Sequence, residues 1–300
     1  MADTHSDGAS RQLGEWLRLR EQADHDARSA SLTRSVAGSL PHDGPVHVLD
    51  LATGTGSNVR YLVEHLAREQ RWLVVDRDPG LLALQPVRAM EWASARGHAV
   101  HAAAGGYRIA GDRVDASIET SQRDLGELDD ETMFAGRHLV TASALLDLVS
   151  EQWLRSLAAR CADAGALVLF ALTYNGQSSC APVEDEDELI RDLLNRHQET
   201  DKGLGGPAAG PAAVSCAERC FTEAGYRVRV EPADWALTPP QHELQRQLIV
   251  GWADAARELA PDLAEVITSW RSRRMTHLDA GRSRIIVRHH DLAAWPPGRP

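Results

Sequence analysis

Lysine is almost missing from this chain. Lys and Arg together number 32, yet Lys202 is the only lysine, and 43 acidic residues outweigh the basic ones to give a formal charge of −11. A general nucleic-acid binder needs a basic face, and no arginine-rich run with interleaved aromatics supplies one. No apolar run is long enough to span a bilayer. Residues 1–8, Met-Ala-Asp-Thr-His-Ser-Asp-Gly, lack the basic and apolar parts of a signal peptide. These absences predict a cytoplasmic protein that partners neither nucleic acid nor membrane. Cysteine is scarce too. Cys161, Cys180, Cys216 and Cys220 are no disulfide framework for 300 residues. Cys216 and Cys220 lie four apart on an expected helix, but no Cys or His pair accompanies them at zinc-ligand spacing. They read as small buried residues on one helix face, and no metal is expected.

The most informative stretch present is 46–58. Val46 to Leu51 reads as a buried strand, the chain turns at Gly54 and Gly56, and a helix starts at Ser57. A strand that turns on glycines into a helix N-terminus brings backbone and free N–H groups close to a nucleotide. A dinucleotide fingerprint needs a third glycine, which falls at Val59, and a Walker A loop needs a lysine that the stretch does not have.

What remains, Asp50-Leu-Ala52-Thr53-Gly54-Thr-Gly56-Ser-Asn58, resembles motif I of the class I S-adenosylmethionine-dependent methyltransferases, whose usual form is Asp-x-Gly-x-Gly-x-Gly. Ala52 replaces the first glycine, a small change unless that position needs positive φ. The resemblance continues downstream. Trp72 to Asp76 is an apolar run ending in an acid, followed by Arg77 and a helix start with Asp78 as N-cap and Pro79 at its first position. Asp76 lies about twenty residues past the glycines, where a ribose-binding carboxylate belongs; in the resembled family this acid grips both ribose hydroxyls. A hairpin (Tyr107 to Ile109, a turn at Gly111-Asp112, Arg113 to Thr120) leads to Asp124-Leu125, where the family places an acid against the adenine amino group. For Asp124 alone, a strand-end cap or solvated loop residue is the lesser alternative. Thr141 and Ala142 close the fourth strand beside the donor.

The resemblance implies S-adenosyl-L-methionine as cofactor and a Rossmann-like α/β fold: a seven-stranded, mostly parallel sheet with the last strand antiparallel, helices on both faces and a helical cap. The order of elements agrees. Residues 1–45 form the cap, with a helix over 9–40 carrying Leu13, Trp16, Leu17 and Leu19. Residues 46–174 form the donor-binding core, with strands at 138–142 and 166–172 and a helix from Ser150 to Ala162 stopped at Gly165. Residues 175–210 form a looser lid or substrate insertion, in which the acidic run 184–188 reads as a solvated helix start. Residues 211–300 complete the core with a helix at 211–224, a strand at 226–231, a helical insertion at 239–275 and a last strand at 283–288. The specific motifs are confined to 46–145.

Methyl transfer from a sulfonium needs alignment and dry surroundings more than acid–base help, and a base is required only for a protonated nucleophile. The segment after the fourth strand, Thr141-Ala-Ser-Ala-Leu-Leu-Asp147, has neither the Asp/Asn-Pro-Pro-Tyr of amino-methylating DNA enzymes nor a Pro-Cys nucleophile. Small and apolar, it suits an uncharged or aromatic metabolite. Candidate acid–base residues are, in order, His197 beside a glycine-rich stretch, Tyr174 at the end of the fifth strand, Asp147 and His290. Each also has a structural use: an exposed helix-end histidine, a packing tyrosine, a helix cap, a strand-end histidine. The reading is a methyltransferase for a small-molecule acceptor, with oxygen favoured by frequency in the resembled family. The alternative is a non-catalytic S-adenosylmethionine-binding regulatory or scaffold subunit. Val59 disfavours a nicotinamide oxidoreductase, and an acidic surface leaves a basic peptide acceptor open. The sequence leaves the oligomeric state open, a homodimer included.

Overall fold

The computed structural model describes residues 3–126 and 128–298. Two helices, α1 (Asp3–Ala27) and α2 (Ala30–Ser39), precede β1 (Val46–Leu51), α3 (Ser57–Leu62), β2 (Glu69–Asp76) and α4 (Pro79–Ser94). Next come β3 (Ala99–Ala103), β4 (Gly106–Ala110), β5 (Asp115–Gln122), β6 (Leu139–Ser143), α5 (Glu151–Ala164) and β7 (Leu167–Ala181). The chain ends with α6 (Asp187–Gln198), α7 (Ala213–Glu223), β8 (Arg227–Pro232), β9 (Trp235–Leu237), α8 (His242–Leu259), α9 (Ala264–Asp279) and β10 (Arg284–Trp295).

Ten strands form one sheet in the order β3-β4-β5-β2-β1-β6-β7-β10-β8, with β9 on β10. From β5 through β7 neighbours are parallel, and β10 runs antiparallel between β7 and β8. This is the seven-stranded Rossmann-like core expected from the sequence. The additions are the β3–β4 edge, paired antiparallel to β5, and β9.

Alternation within the buried strands makes the two faces. Leu49, Leu51, Leu73, Val75, Val140, Val168 and Phe170 pack with α5 and α7 in one core. Val46, Val48, Trp72, Val74, Leu139, Leu167 and Leu169 pack with α2, α3 and α4 in another. A parallel sheet covered on both faces has to be apolar throughout, which is why these strands are. Cys161, Cys216 and Cys220 are buried in the first core. A third core, under α6, α8 and α9, takes Trp235, Trp252 and Trp270.

Local signals set the element ends. Asp78 caps α4 by accepting the Gly80 and Leu81 N–H groups, and Pro79 opens the helix. Ser150 caps α5 through the Trp153 N–H, and Gly165, at φ +60°, ends it. Several boundaries differ from expectation. The helix expected over 9–40 breaks at Arg28-Ser29, where Ser29 caps α2. The one at 239–275 breaks at Ala260-Pro261, where the proline lacks the N–H that the helix would use. β7 runs on to Ala181 because β10 pairs with it as far as Arg284, so 175–181 is sheet rather than loose insertion. The acidic run 184–188 is not simply solvated. Glu184 and Glu186 pair with Arg273, Asp187 pairs with Arg274 and accepts the Trp270 indole N–H at 2.8 Å, and His277 contacts Glu184 at 2.7 Å. The run therefore fastens α6 to α9. No described helix is long and apolar enough to cross a membrane.

Candidate functional site

A cavity of about 400 Å³ opens at the carboxyl ends of the parallel strands, within the size range of small-molecule sites and at the edge where open α/β sheets bind ligands. The loop after β1 (Ala52 to Thr55), the end of β2 (Asp76 to Asp78) and the segment after β6 (Ser143 to Leu145, Leu148) make three of its walls. The fourth is α1, whose Leu13, Trp16, Leu17, Arg20 and Asp24 recur at helical spacing on one face.

The glycine loop is built for close approach. Gly54 and Gly56 sit at φ +54° and +81°. A Cβ on Gly54 would come to 3.0 Å from Leu17 Cδ1, so α1 lies directly on the loop. Ala52 also takes positive φ, +50°. The position does need the left-handed conformation after all, and alanine there carries strain that glycine would not.

Two carboxylates organise this end. Asp76 accepts the Gly54 N–H on Oδ2 (2.8 Å) and the Asp78 N–H on Oδ1 (2.9 Å). Burial pushes its pKa up, against the pull of those two N–H groups. Each oxygen keeps a lone-pair site free. Asp50 is fully buried and accepts Thr53 Oγ1–H and Asn58 Nδ2–H, both at 2.6 Å; desolvation raises its pKa to about 6. Asn58 is fully engaged, donating also to Thr141 Oγ1 (3.1 Å) and accepting from Arg28. Thr141 in turn donates to the Leu169 carbonyl at 2.6 Å. Asp50, Thr53, Asn58 and Thr141 thus form a rigid polar frame behind the loop.

Side chains also hold α1 down. Ser10 Oγ donates to Asp78 at 2.8 Å, and the buried Arg60 donates to Glu21 at 2.6 and 2.7 Å and to the Thr55 carbonyl at 2.6 Å. Farther along, Arg20 forks onto Asp24 and lies 4.8 Å over the Trp235 ring, whose N–H donates to Asp24 at 3.1 Å.

Of the residues singled out from the sequence, Asp50, Ala52, Thr53, Gly54, Asn58, Asp76, Arg77 and Leu125 line the cavity. Gly56 shapes the loop from behind, as N-cap of α3. Thr141 and Ala142 are buried behind the wall. Asp124 is exposed and turns back to accept its own Gly126 N–H at 2.9 Å, so it does not line the cavity.

The acid–base candidates scatter. His197 sits at the end of α6, 2.8 Å from Glu258 of α8 and off the cavity wall; Lys202 Nζ, from the neighbouring glycine-rich stretch, donates to the His197 carbonyl at 3.0 Å. Tyr174 donates its hydroxyl to Asn195 at 3.0 Å, a packing arrangement, and burial raises its pKa to about 12. His290 lies beside Asn175. Asp147 stands in a 3₁₀ turn (Leu146–Leu148) between the wall residues Leu145 and Leu148. Burial lifts its pKa to about 6, and its Oδ1 has no hydrogen-bond partner.

Sequence reasoning passes over the Arg20–Asp24 pair, reads Trp235 chiefly as a core residue and reads His289 only as one of a strand-end pair. His289 is buried, with its ring 5.1 Å from that of Trp235 and 6.2 Å from that of Tyr174. Its Nδ1 has no partner, and desolvation lowers its pKa to about 3. The doubled His289-His290, which lies inside β10, was a signal, since alternation along a strand buries one of the two. Among the described residues no group of His, Cys, Asp or Glu is arranged to hold a metal ion.

No protein-family model matches the sequence, and no curated protein matches it. Solved structures do resemble it. A cyclopropane synthase of Mycobacterium tuberculosis has a TM-score of 0.43 at 12% identity, over 87% of this chain and 82% of that one. A methyltransferase of Geobacter sulfurreducens in complex with S-adenosylhomocysteine has a TM-score of 0.43 at 14% identity, over 90% and 92%. A phosphoethanolamine methyltransferase of Haemonchus contortus has 0.40 at 13% identity, over 90% of this chain and 53% of that one. In this chain's own sheet, the antiparallel β10 between β7 and β8 gives the strand arrangement implied by the resemblance to class I methyltransferases.

Proposed function

We propose that the cavity binds S-adenosylmethionine and that the chain transfers its methyl group to a small-molecule acceptor, with oxygen as the receiving atom. The observation that carries this reading is Asp76: a buried carboxylate at the end of β2, tied to the Gly54 N–H at 2.8 Å and lining the cavity. Its remaining lone pairs suit the two hydroxyls of a ribose. In this reading the backbone of Thr53 and Gly54 follows the donor, and Arg77 and Leu125 flank the base. Asp50, framed by Thr53 and Asn58, faces the amino-acid end. Thr141 and Ala142 support the wall from behind. The exposed Asp124 is left without a role at the adenine.

Strand order supports one direction for the donor. In this reading ribose lies on β2, the sulfonium near β1 and the acceptor next to β6 and α1. There the wall is mainly leucine with Trp16, which keeps water from the reacting atoms.

Thermal unfolding with ligands tests the donor. S-Adenosylmethionine and S-adenosylhomocysteine are expected to raise the melting temperature while NAD does not, and no shift with either sulfur ligand would sink the proposal. Binding without transfer to any acceptor would favour a regulatory subunit instead.

A further inference from the structure

Arg20 and Asp24, one turn apart on α1, both line the cavity, and binding the donor uses neither of them. Asp24 takes one edge of the guanidinium: Arg20 Nε donates to it at 2.9 Å and Nη2 at 3.0 Å. Trp235 fixes the pair from the side, with its ring 4.8 Å from Arg20 Cζ and its N–H donated to the same Asp24 at 3.1 Å. The other edge of the guanidinium is unspent. Asp147 Oδ1 is unpaired and sealed off, whereas Arg20 Nη1, without a hydrogen-bond partner among the described residues, keeps accessible surface on a side chain that is 13% exposed and lines the cavity. We infer that Arg20 anchors a carboxylate of the acceptor, so that the molecule methylated is a small carboxylic acid bound as its anion. The inference rests on the cavity being the methyl-donor site.

Position supports the assignment. α1 runs across the cavity from the donor end to the far side. Ser10 bonds Asp78 after β2, Leu17 lies against Gly54 after β1, and Arg20 reaches Trp235 of β9. β9 pairs with β10, which lies on the opposite side of β1 from β2. With ribose on β2 and the sulfonium near β1, Arg20 stands beyond the methyl group, on the acceptor's side. The other arginine of the cavity wall, Arg77, directly follows β2 at the donor's end. Because Asp24 and Trp235 already hold the guanidinium in place, binding costs it little further freedom.

The chemistry selects the acceptor class. A guanidinium presents two forks, and the paired oxygens of a carboxylate match either one. The fork of Nε and Nη2 holds Asp24. The fork of Nη1 and the second Nη2 N–H remains for the ligand. A hydroxyl or an amide oxygen makes a weaker bond there, because it brings no charge. A second carboxylate beside Asp24 does meet repulsion that the single charge of Arg20 does not cancel. The donor supplies the balance, since its sulfonium brings a positive charge into the same cavity. The apolar walls of Trp16, Leu145 and Leu148 leave that attraction poorly screened. Acid and donor therefore favour each other's binding, and the neutral thioether left after transfer holds the acid less tightly.

The test is calorimetric titration of the full chain saturated with sinefungin, a donor analogue that carries an ammonium in place of the sulfonium. The probes are benzoate, phenylacetate and hexanoate, each set against its own amide. At least one acid should bind about 10-fold or more tightly than its amide. Arg20→Gln should erase that preference, and Asp24→Asn, which removes the competing carboxylate, should enlarge it. The double variant Arg20→Gln/Asp24→Asn leaves neither charge unpaired and should behave as Arg20→Gln does. S-Adenosylhomocysteine should bind all three variants as it binds the unmodified chain, which shows that they fold. 5′-Methylthioadenosine, which lacks the amino-acid end, separates the acceptor's carboxylate from the donor's own. Loss of S-adenosylhomocysteine affinity in Arg20→Gln with 5′-methylthioadenosine affinity kept would assign Arg20 to the donor and overturn the inference. No acid binding better than its amide, or a preference that survives in the double variant, would overturn it too. Failure of S-adenosylhomocysteine to bind the unmodified chain refutes instead the donor site beneath it.

Discussion

The Gly54 N–H donates to Asp76 at 2.8 Å, joining the loop after β1 to the end of β2 across adjacent parallel strands. One bond therefore sets both the loop's path and the acid's direction before any ligand arrives. Asp76→Ala removes this bond, the Asp78 N–H bond and the proposed diol contacts together. Hydrogen bonds to a charged group contribute about 1.5–3 kcal/mol each. S-Adenosylhomocysteine affinity is expected to fall at least 100-fold by calorimetry, with a loss of fold stability of about 1–3 kcal/mol by urea titration. Unchanged affinity would remove Asp76 from the donor site.

Ala52, at φ +50°, holds a conformation that glycine adopts without penalty. Ala52→Gly is expected to stabilise the chain by up to about 1 kcal/mol, the left-handed strain relieved less the added freedom of the unfolded chain. A branched residue fares worse there, so Ala52→Val should destabilise. Melting temperatures of the two variants should move in opposite directions.

His289 makes the acid limb of stability steeper. Its folded pKa, about 3, lies below the ordinary histidine value of 6.5, so the unfolded chain binds a proton that the folded chain refuses. The contribution is complete above pH 6.5 and is lost as pH falls toward 3. His289→Asn should reduce the pH dependence of the urea midpoint in that window by as much as one proton. An unaltered slope would mean that His289 titrates normally.

Glu21 and Arg60 clamp α1 to the glycine loop. Glu21→Gln leaves the 1%-exposed Arg60 guanidinium without its counter-charge, a change that costs about 3 kcal/mol or more when such a pair is buried. Amide exchange in α1 should accelerate more than exchange in β1 or β6. Uniform acceleration would show that α1 does not open independently.

The parts of this site that were legible in the sequence are those whose chemistry is local. Gly54, Gly56, the acid at 76, the Asp78-Pro79 helix start and the Ser150 to Gly165 helix each announce themselves within a few residues. What stayed hidden depends on residues brought together from afar. Asp24 meets Trp235 from 211 positions away, and the cavity face of α1 reads as an ordinary amphipathic stripe. His197 attracted notice through its polar, glycine-rich surroundings, yet its partner is a surface glutamate on α8. His289 looked like one of a pair at a strand end, and only the packing of β9 and β7 around it decides which is buried. Whether Ala52 is a small change depends on its backbone angle, and that angle has no signature in the sequence.

Calorimetric titration of the full chain with S-adenosylhomocysteine tests the central claim most directly. One molecule should bind per chain with saturable heat, and NAD under the same conditions should give none. A flat S-adenosylhomocysteine titration, or saturable binding of NAD in its place, would contradict the account.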